Sequence, residues 1–299
     1  MIKELNNCII CPRKCGINRN ITCGYCRVKN QIKLAKACLH FWEEPCISGS
    51  RGSGTVFFSN CNMRCVFCQN YDISHEGFGK EVSIEKLAEI MLYLEEKGAH
   101  NINLVSPTPY IFHIREAVKT ARNKGLTLPI LYNTNGYENA EILKSLEGII
   151  DIYLPDLKYY DDKYSIRYSK TPAYFEHATA AILEMYRQVG NPVFNDDGIL
   201  IKGLMIRHMM LPGLLFDSKK VVDWVLDNLP PQVFLNIMCQ YTPMYKAKYF
   251  DEINRKLNPK HYESLIDYAL SKGLENGFTQ DHGSATEEYT PIFDLSGIE

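Results

Sequence analysis

The sequence has no apolar run of 18 residues, so no membrane-spanning helix is expected. Its first residues, Met1-Ile2-Lys3-Glu4-Leu5-Asn6-Asn7-Cys8, lack the apolar core of a secretory signal. Neither sign of charge dominates: 33 Lys and Arg stand against 35 Asp and Glu, and the formal net charge is −2. Without a global basic excess, nucleic-acid binding is not indicated. No internal repeat and no low-complexity stretch stands out, so repeat architectures are set aside.

Cysteine, by contrast, is abundant. The 299 residues hold 11 cysteines, ten of them between positions 8 and 68, with Cys239 apart. An odd number of cysteines in a chain without an export signal points to a reducing, cytoplasmic compartment. It also points to metal or catalytic use rather than disulfides. The 45% of apolar residues suffices for a substantial core, in one large α/β domain or two ordinary ones. The cysteine distribution sets a cysteine-rich, metal-binding segment at residues 1–50 apart from a body at 51–299. The first 40 residues carry eight Lys or Arg against the single acid Glu4. That basic face is either plain solvated surface or an attraction for an acidic partner.

The most informative run is Cys61-Asn62-Met63-Arg64-Cys65-Val66-Phe67-Cys68. Three thiolates at this spacing can grip three corners of a [4Fe–4S] cubane and leave the fourth iron without a protein ligand. An open coordination position can bind and activate something, whereas a closed site is structural. A zinc knuckle with a remote fourth ligand, or three buried core thiols, would be the bland alternatives. A second group, Cys8-x2-Cys11-x3-Cys15 with Cys23-x2-Cys26, offers five ligands for zinc or an auxiliary Fe–S cluster. Cys38, Cys46 and Cys239 have no partner spacing and are expected to act as small buried hydrophobes.

The body alternates strand and helix patterns. Strand-like runs lie at 55–58, 102–105, 129–132, 149–154, 199–206 and 233–238. Helical spacing of apolar residues separates them, at 84–94, 111–121, 221–226 and 262–269, with a polar helix-like stretch at 161–189. Such alternation implies βαβ units and a parallel sheet. Six strands are too few to close an α/β barrel of eight, so an open, partial TIM-type barrel is expected. In such folds functional groups gather at the C-terminal strand ends. The polar motifs fall there: the cysteine loop, Ser106-Pro107-Thr108, Asn133-Thr134-Asn135-Gly136, Pro155-Asp156-Leu157-Lys158, Arg207-His208 and Gln240-Tyr241.

With its flanks, the stretch Gly54-Thr55-Val56-Phe57-Phe58-Ser59-Asn60-Cys61-x3-Cys65-Val66-Phe67-Cys68-Gln69-Asn70 resembles the radical S-adenosylmethionine (SAM) superfamily. Within it, the pyruvate formate-lyase activating enzyme group is most similar, and in that group a PflX-like subgroup. The resemblance extends over nearly the whole chain, through Cys8-x2-Cys11-Pro12-Arg13-x-Cys15, His40-Phe41-Trp42-Glu43-Glu44-Pro45, Arg207-His208-x3-Pro212-Gly213 and Gln240-Tyr241-x-Pro243.

The resemblance implies SAM chelated to the open iron, one-electron cleavage to methionine and a 5′-deoxyadenosyl radical, and hydrogen abstraction from a substrate. An activase-like reaction on a glycyl-radical enzyme is the first expectation; modification of a peptide or small metabolite, or a non-enzymatic zinc or Fe–S module, are the alternatives. An electron donor such as flavodoxin or ferredoxin is implied. Phe67 matches an aromatic near the adenine, Ser106 and Thr108 replace the family's Gly-Gly-Glu at the SAM amino group, and no carboxylate remains in that loop. Thr134 and Asn135 match the ribose side. Lys158 matches a lysine facing the SAM carboxylate, and Asp156 with the Asn133-Thr134 region matches a site for a monovalent cation, with Asn133 where relatives have aspartate. Arg207 and His208 match late-strand residues that reach SAM; strand alternation lets one of the two face inward, and Arg207, with its bidentate fork, is preferred. Cys8, Cys11, Cys15 and Cys26 follow the family's second metal site, with Cys23 extra.

Overall fold

A computed structural model describes residues 2–280 and 291–298. Nine strands form its sheet: β1 Ile32–His40, β2 Ser53–Phe58, β3 Lys80–Val82, β4 Ile102–Val105, β5 Ile130–Thr134, β6 Ile152–Pro155, β7 Val193–Phe194, β8 Leu200–Met209 and β9 Phe234–Met238. Six of them, β2, β4, β5, β6, β8 and β9, are neighbours in that order and all parallel. They correspond to the six runs read from the sequence. On the far side of β2 the neighbour is β1, which runs antiparallel. The array is therefore an open partial barrel.

β1 and β3 are additions to the sequence reading, as is the short β7 hairpinned onto β8. Because β1 lies within residues 32–40, the sheet begins inside the segment set apart as 1–50. The outer edge of β1 is covered in part by the C-terminal residues: Leu295 N donates to Ala35 O at 3.1 Å and Ala37 N to Ser296 O at 2.9 Å. Pairing an exposed edge in this way removes a template for aggregation.

The helices are α1 Pro45–Ser48, α2 Tyr71–Ser74, α3 Ile84–Glu96, α4 Ile111–Asn123, α5 Ala140–Leu143, α6 Asp162–Ser169, α7 Tyr174–Val189, α8 Leu215–Asn228 and α9 Pro259–Ser271. Side-chain caps start several of them, Ser83 accepting from Lys86 N and Asn258 from Lys260 N. The helix-like stretch at 161–189 is two helices. Pro172 cannot continue α6, and Lys170 turns out of it in the left-handed region. Among the described residues no helix is long and apolar enough to cross a membrane.

One short element sets the depth of the barrel. Cys46 and Ile47 of α1 pack inside it against Leu131, Ile152, Leu154, Leu200 and Met205. Fully burying Ile47 contributes about 2 kcal/mol. Side chains on a strand repeat every two residues, so two positions beyond Leu131, Leu154 and Met205 the same inner face carries Asn133, Asp156 and Arg207. The apolar plug is thus followed by a polar layer, and above that layer lies the cleft.

Candidate active site

An open cleft of about 260 Å³ lies at the C-terminal ends of the parallel strands. Its wall includes Cys61, Cys65 and Cys68, with Phe67, Ser106, Asn133, Thr134, Asn135, Asp156, Lys158 and Arg207. The cysteine loop is pinned from outside. Arg64 N and Val66 N donate to Ser169 O and Tyr168 O at the end of α6, at 3.0 and 2.8 Å. The Arg64 guanidinium donates back to Cys61 O at 2.8 Å and across to Tyr25 O at 2.6 Å.

Each of the three sulfurs has a polar neighbour. Asn135 Nδ2 donates to Cys61 Sγ at 3.3 Å, and Met63 N donates to it at 3.4 Å. Ser169 Oγ donates to Cys65 Sγ at 3.1 Å, and Ser74 Oγ lies 3.2 Å from Cys68 Sγ. Burial pushes all three thiols up to about 11, so they stay protonated until a metal displaces the proton.

The polar layer beneath is a connected set of charges. Lys158 Nζ donates to Asp156 Oδ2 at 2.6 Å. Arg207 donates to Asp156 Oδ1 at 3.1 Å, to Glu43 Oε2 at 3.2 Å and to Asn133 Oδ1 at 2.5 Å. Asn103 and Asn133 donate to the other oxygen of Glu43, at 2.9 and 3.3 Å. Lys158 and Arg207 hold the buried Asp156 carboxyl below its ordinary range against the opposing effect of burial. Glu44, next in sequence, accepts from Asn236 at 2.8 Å, and burial pushes its carboxyl up.

A family model for the radical SAM superfamily matches residues 55–225, more than half of the sequence. The chain belongs to the radical SAM superfamily. It is 31% identical over 281 residues to an uncharacterized protein of Methanocaldococcus jannaschii, covering 90% of this chain and 76% of that protein. It is 28% identical over 176 residues to the pyruvate formate-lyase-activating enzyme of Clostridium pasteurianum, covering 55% of this chain and 64% of that enzyme. Among solved structures, Streptococcus suis SuiB bound to precursor peptide SuiA superposes with a TM-score of 0.52 at 15% identity, over 74% of this chain and 47% of that one. The [FeFe]-hydrogenase maturase HydG of Carboxydothermus hydrogenoformans gives 0.52 at 13% identity, over 79% and 56%. These two likenesses establish the fold, and the chain spans about half the length of those solved chains.

Radical SAM enzymes use a [4Fe–4S] cluster and SAM, and the residues present fit both. The three cysteines share one wall of the cleft, with donors aimed at their sulfurs, as thiolates bound to a cluster require. Among the described residues no three His, Cys, Asp or Glu side chains converge as ligands of one metal ion would. A cubane asks for no such convergence, because its thiolates end on different irons.

The sequence-derived SAM residues divide. Ser106 lines the cleft, in a left-handed conformation with φ of 59°. Thr108 does not: its hydroxyl donates to Glu138 Oε1 at 2.6 Å and it borders the N-terminal cysteine cavity instead. His208 is likewise displaced from the expected role. It points to the opposite side of β8 from Arg207, where its Nδ1 meets Leu157 O at 2.6 Å, and burial lowers its pKa to about 4. A neutral, buried imidazole there ties β8 to the β6 loop and does not reach the cleft. Asn135 lines the cleft with its amide nitrogen turned to Cys61 and Asn62. Thr134 lines the cleft but donates its hydroxyl to Glu138 Oε1 at 2.5 Å. Both oxygens of Asp156 are engaged by cationic side chains, so a monovalent cation there would have to displace Lys158 or Arg207. Phe67 is buried edge-on to Tyr241 with ring centroids 5.8 Å apart.

Glu43 and Glu138 escaped the sequence reading. Glu43 belongs to the quoted run His40-Phe41-Trp42-Glu43-Glu44-Pro45, and its place beside the plug was the missing clue. Nothing in the sequence around Glu138 marks it as buried.

A second cavity is lined by Cys8, Cys11, Cys15 and Cys26, while Cys23 is exposed and outside it. Arg19 borders the same cavity, fully buried, and donates to Lys29 O and Pro109 O. A buried guanidinium satisfied by carbonyls alone still lacks a counter-charge. Thiolates on a metal centre would supply one; the four cysteines do not converge on one point as the ligands of a single ion would, so their arrangement matches a multi-iron cluster better than one ion. The two cysteine sites adjoin. Asn62 borders this cavity, its Oδ1 accepts from Asn135 at 2.9 Å, and Arg13 Nε donates to its carbonyl at 3.2 Å.

Proposed function

We propose that this radical SAM protein cleaves SAM reductively and takes a hydrogen atom from a protein partner, in a reaction like that of the glycyl-radical-enzyme activases. The observation that carries the reading is the shared cleft of Cys61, Cys65 and Cys68 with the Arg207–Asp156–Lys158 charge set. A cluster held by Cys61, Cys65 and Cys68 would supply the single electron needed to break the sulfonium C–S bond of SAM, with methionine as the leaving group. Arg207 and Lys158 offer cationic donors to the SAM carboxylate. Phe67 and Tyr241 offer apolar surface to the adenosine. The plug and the closed bottom of the barrel exclude water from below, which limits quenching of a reactive species.

The protein substrate is supported by the likeness to the Clostridium pasteurianum activating enzyme and by an open cleft with Trp42 exposed on its wall. The electron would come from a donor of flavodoxin or ferredoxin type, and the basic first 40 residues suit an acidic one. Cys8, Cys11, Cys15 and Cys26 would hold zinc or an auxiliary Fe–S cluster.

The test is anaerobic reconstitution with iron and zinc counting, followed by a SAM cleavage assay. Reductant-dependent formation of 5′-deoxyadenosine, abolished in Cys65→Ala, supports the reading; iron binding without SAM turnover sinks it. A glycyl-radical electron paramagnetic resonance signal on a partner identifies an activase. Turnover without that signal moves the hydrogen donor to a peptide or small metabolite. About four irons mark one cluster, and about eight make the N-terminal site a second one.

A further inference from the structure

We propose that a one-electron donor protein with an acidic face docks over the Cys68 corner of the cysteine loop, on a basic, tyrosine-rich patch of Arg27, Arg64 and Lys246 around Tyr71 and Tyr245. The inference rests on the reading of Cys61, Cys65 and Cys68 as ligands of a [4Fe–4S] cluster, and it names where that cluster is reduced. The donor gives up one electron and the cluster gains one, with no bond made and no proton exchanged.

The three corners differ in what lies behind them. Behind Cys65 stands Ser169, and behind that Tyr159, its hydroxyl 2.7 Å from Ser169 Oγ; both residues are fully buried. Behind Cys61 stand Asn135 and the buried Asn62, whose amide donates to Tyr137 O at 2.6 Å. Behind Cys68 the protein is thin. Ser74 Oγ lies 3.2 Å from the sulfur and 3.2 Å from His75 Nδ1. The His75 ring meets the Tyr245 ring edge-on, with centroids 4.8 Å apart. Tyr245 is half-buried and stacks on the half-buried Tyr71 at 4.9 Å. Electron transfer weakens steeply with distance, so the corner nearest the surface is the favoured entry. Tyr71, His75, Tyr245 and Lys246 lie beside the cleft and do not line it, so a donor seated on them does not need the cleft mouth.

The charge at this corner is positive. Arg27 Nη1 donates to His75 O at 2.9 Å, Arg64 Nη2 to Tyr25 O at 2.6 Å, and Lys246 Nζ lies 5.0 Å from the centre of the Tyr245 ring. Burial lowers the His75 imidazole to about 4, and Arg64, Lys246 and Arg27 press the same way, which places all three cations near one ring. Their partners are carbonyls and rings, and among the described residues none of the three forms an ion pair. The exposed acids of this region are Asp72 and Glu76, while the segments 5–42 and 240–250 carry no acid at all. Uncompensated cations grouped in this way attract and orient an acidic surface. Arginine and tyrosine are also the residue types that carry much of the binding energy at interfaces.

Stopped-flow reduction of the anaerobically reconstituted full chain tests the assignment, with bleaching of the cluster absorbance as the readout and no SAM present. Two reductants are compared: an acidic flavodoxin in its fully reduced form, and photoreduced deazariboflavin, which is small and uncharged. In Arg27→Glu/Lys246→Glu the rate with limiting flavodoxin should fall about tenfold to a hundredfold, and the deazariboflavin rate should change by less than about twofold. A matched reversal at the C-terminal ends of α3 and α4, Lys97→Glu/Lys124→Glu, should slow flavodoxin by less than about threefold, because salt screens charges so far from the patch. Equal slowing with both reductants, the mark of damage to the cluster site, overturns the proposal. So does an unchanged flavodoxin rate, or an equal loss in the matched pair. Should the double variant fail to fold, Lys246→Gln alone should slow flavodoxin about threefold and spare deazariboflavin, and equal effects on the two overturn the proposal there too. If deazariboflavin bleaches wild type while neither flavodoxin nor an acidic ferredoxin does, the docking falls and the cluster reading stands. If wild type holds no reducible cluster, the reading of the three cysteines falls and the assignment with it.

Discussion

Glu138 should make the stability of this protein depend on pH between about 4.5 and 7, with the fold losing stability as pH rises. Its carboxyl is wholly buried, and Oε1 accepts from Thr108 at 2.6 Å, Thr134 at 2.5 Å and Tyr132 at 3.3 Å. Oε2 has no hydrogen-bond partner. Burial pushes the group from an ordinary 4.5 up to about 7, and the three hydroxyls only partly offset it. In the unfolded chain the group loses its proton near 4.5, while the native protein holds it to about 7. Between those values folding takes up a proton, so stability is fully present below 4.5 and declines until pH passes 7. A gap of about 2.5 in pKa, at about 1.4 kcal/mol each, gives a loss on the order of 3 kcal/mol.

The assay is urea unfolding of wild type and Glu138→Gln across pH 4.5 to 8.5, with the difference in free energy plotted against pH. Other titrating groups cancel in the difference. The glutamine side chain adds an amide donor with no acceptor beside it, an offset of about 1–3 kcal/mol that does not vary with pH. The difference should therefore move by about 3 kcal/mol in favour of the variant as pH rises, then level off above 7. Parallel profiles for the two proteins would refute the reasoning, because they would mean that Glu138 titrates alike in both states.

Three further outcomes follow from named contacts. Arg207→Met strips the cation from Asp156, Glu43 and Asn133. Breaking a buried pair costs about 3–5 kcal/mol, so the thermal midpoint should fall on the order of 10 °C, and Arg207→Lys should recover only part of it. Gly136→Ala puts a Cβ 2.3 Å from Asp156 O at a φ of +81°, whereas Gly148→Ala, at a φ of +74°, meets nothing within 4 Å. Urea midpoints should show a loss of about 1 kcal/mol at position 148 and clearly more at 136, the excess being the clash. Cys26→Ala should empty the N-terminal site of metal while Cys23→Ala leaves it loaded, read by metal analysis of the purified proteins.

The parallel strands were legible because each is a short apolar run with a helical pattern on either side. Their polar ends were legible because strand-end loops share one rim. The division between Arg207 and His208 follows from alternation along β8 and needs no tertiary information beyond which face is inner. Other placements are set by contacts that sequence does not display. Ser106 and Thr108 are two residues apart, and the left-handed turn at Ser106 sends the second away from the cleft. Nothing in the residue types demands a positive φ at a serine. Nothing in two adjacent acids announces burial, yet α1 draws Glu43 and Glu44 into the barrel, where Asn103, Asn133 and Asn236 receive them. β1 was missed because a register shift between Leu34 and Lys36 breaks its alternation, leaving Leu34 and Ala35 both buried. Lys33 reaches Gly77 O at 2.5 Å and Lys36 reaches Asp294, so both charges are absorbed by neighbours distant in sequence.

These placements bear on how the site could vary. The plug and the polar layer occupy the same faces of β5, β6 and β8, two residues apart, a rise of about 7 Å along a strand. A one-residue slip of any of these strands would send Asn133, Asp156 or Arg207 to the outer face and bring an apolar neighbour in. The plug opposes that slip, since Ile47 packs against Leu131, Leu154 and Met205, which a slip would turn away from it. Glu43 is tied to the same element, a short stretch of chain before Ile47. The register that packs the barrel bottom is therefore the register that aligns the charges above it. The ionic layer needs no separate device to hold its geometry, and substitutions in the plug should be felt at Glu43 before they are felt at the cysteine loop, which is anchored independently on α6.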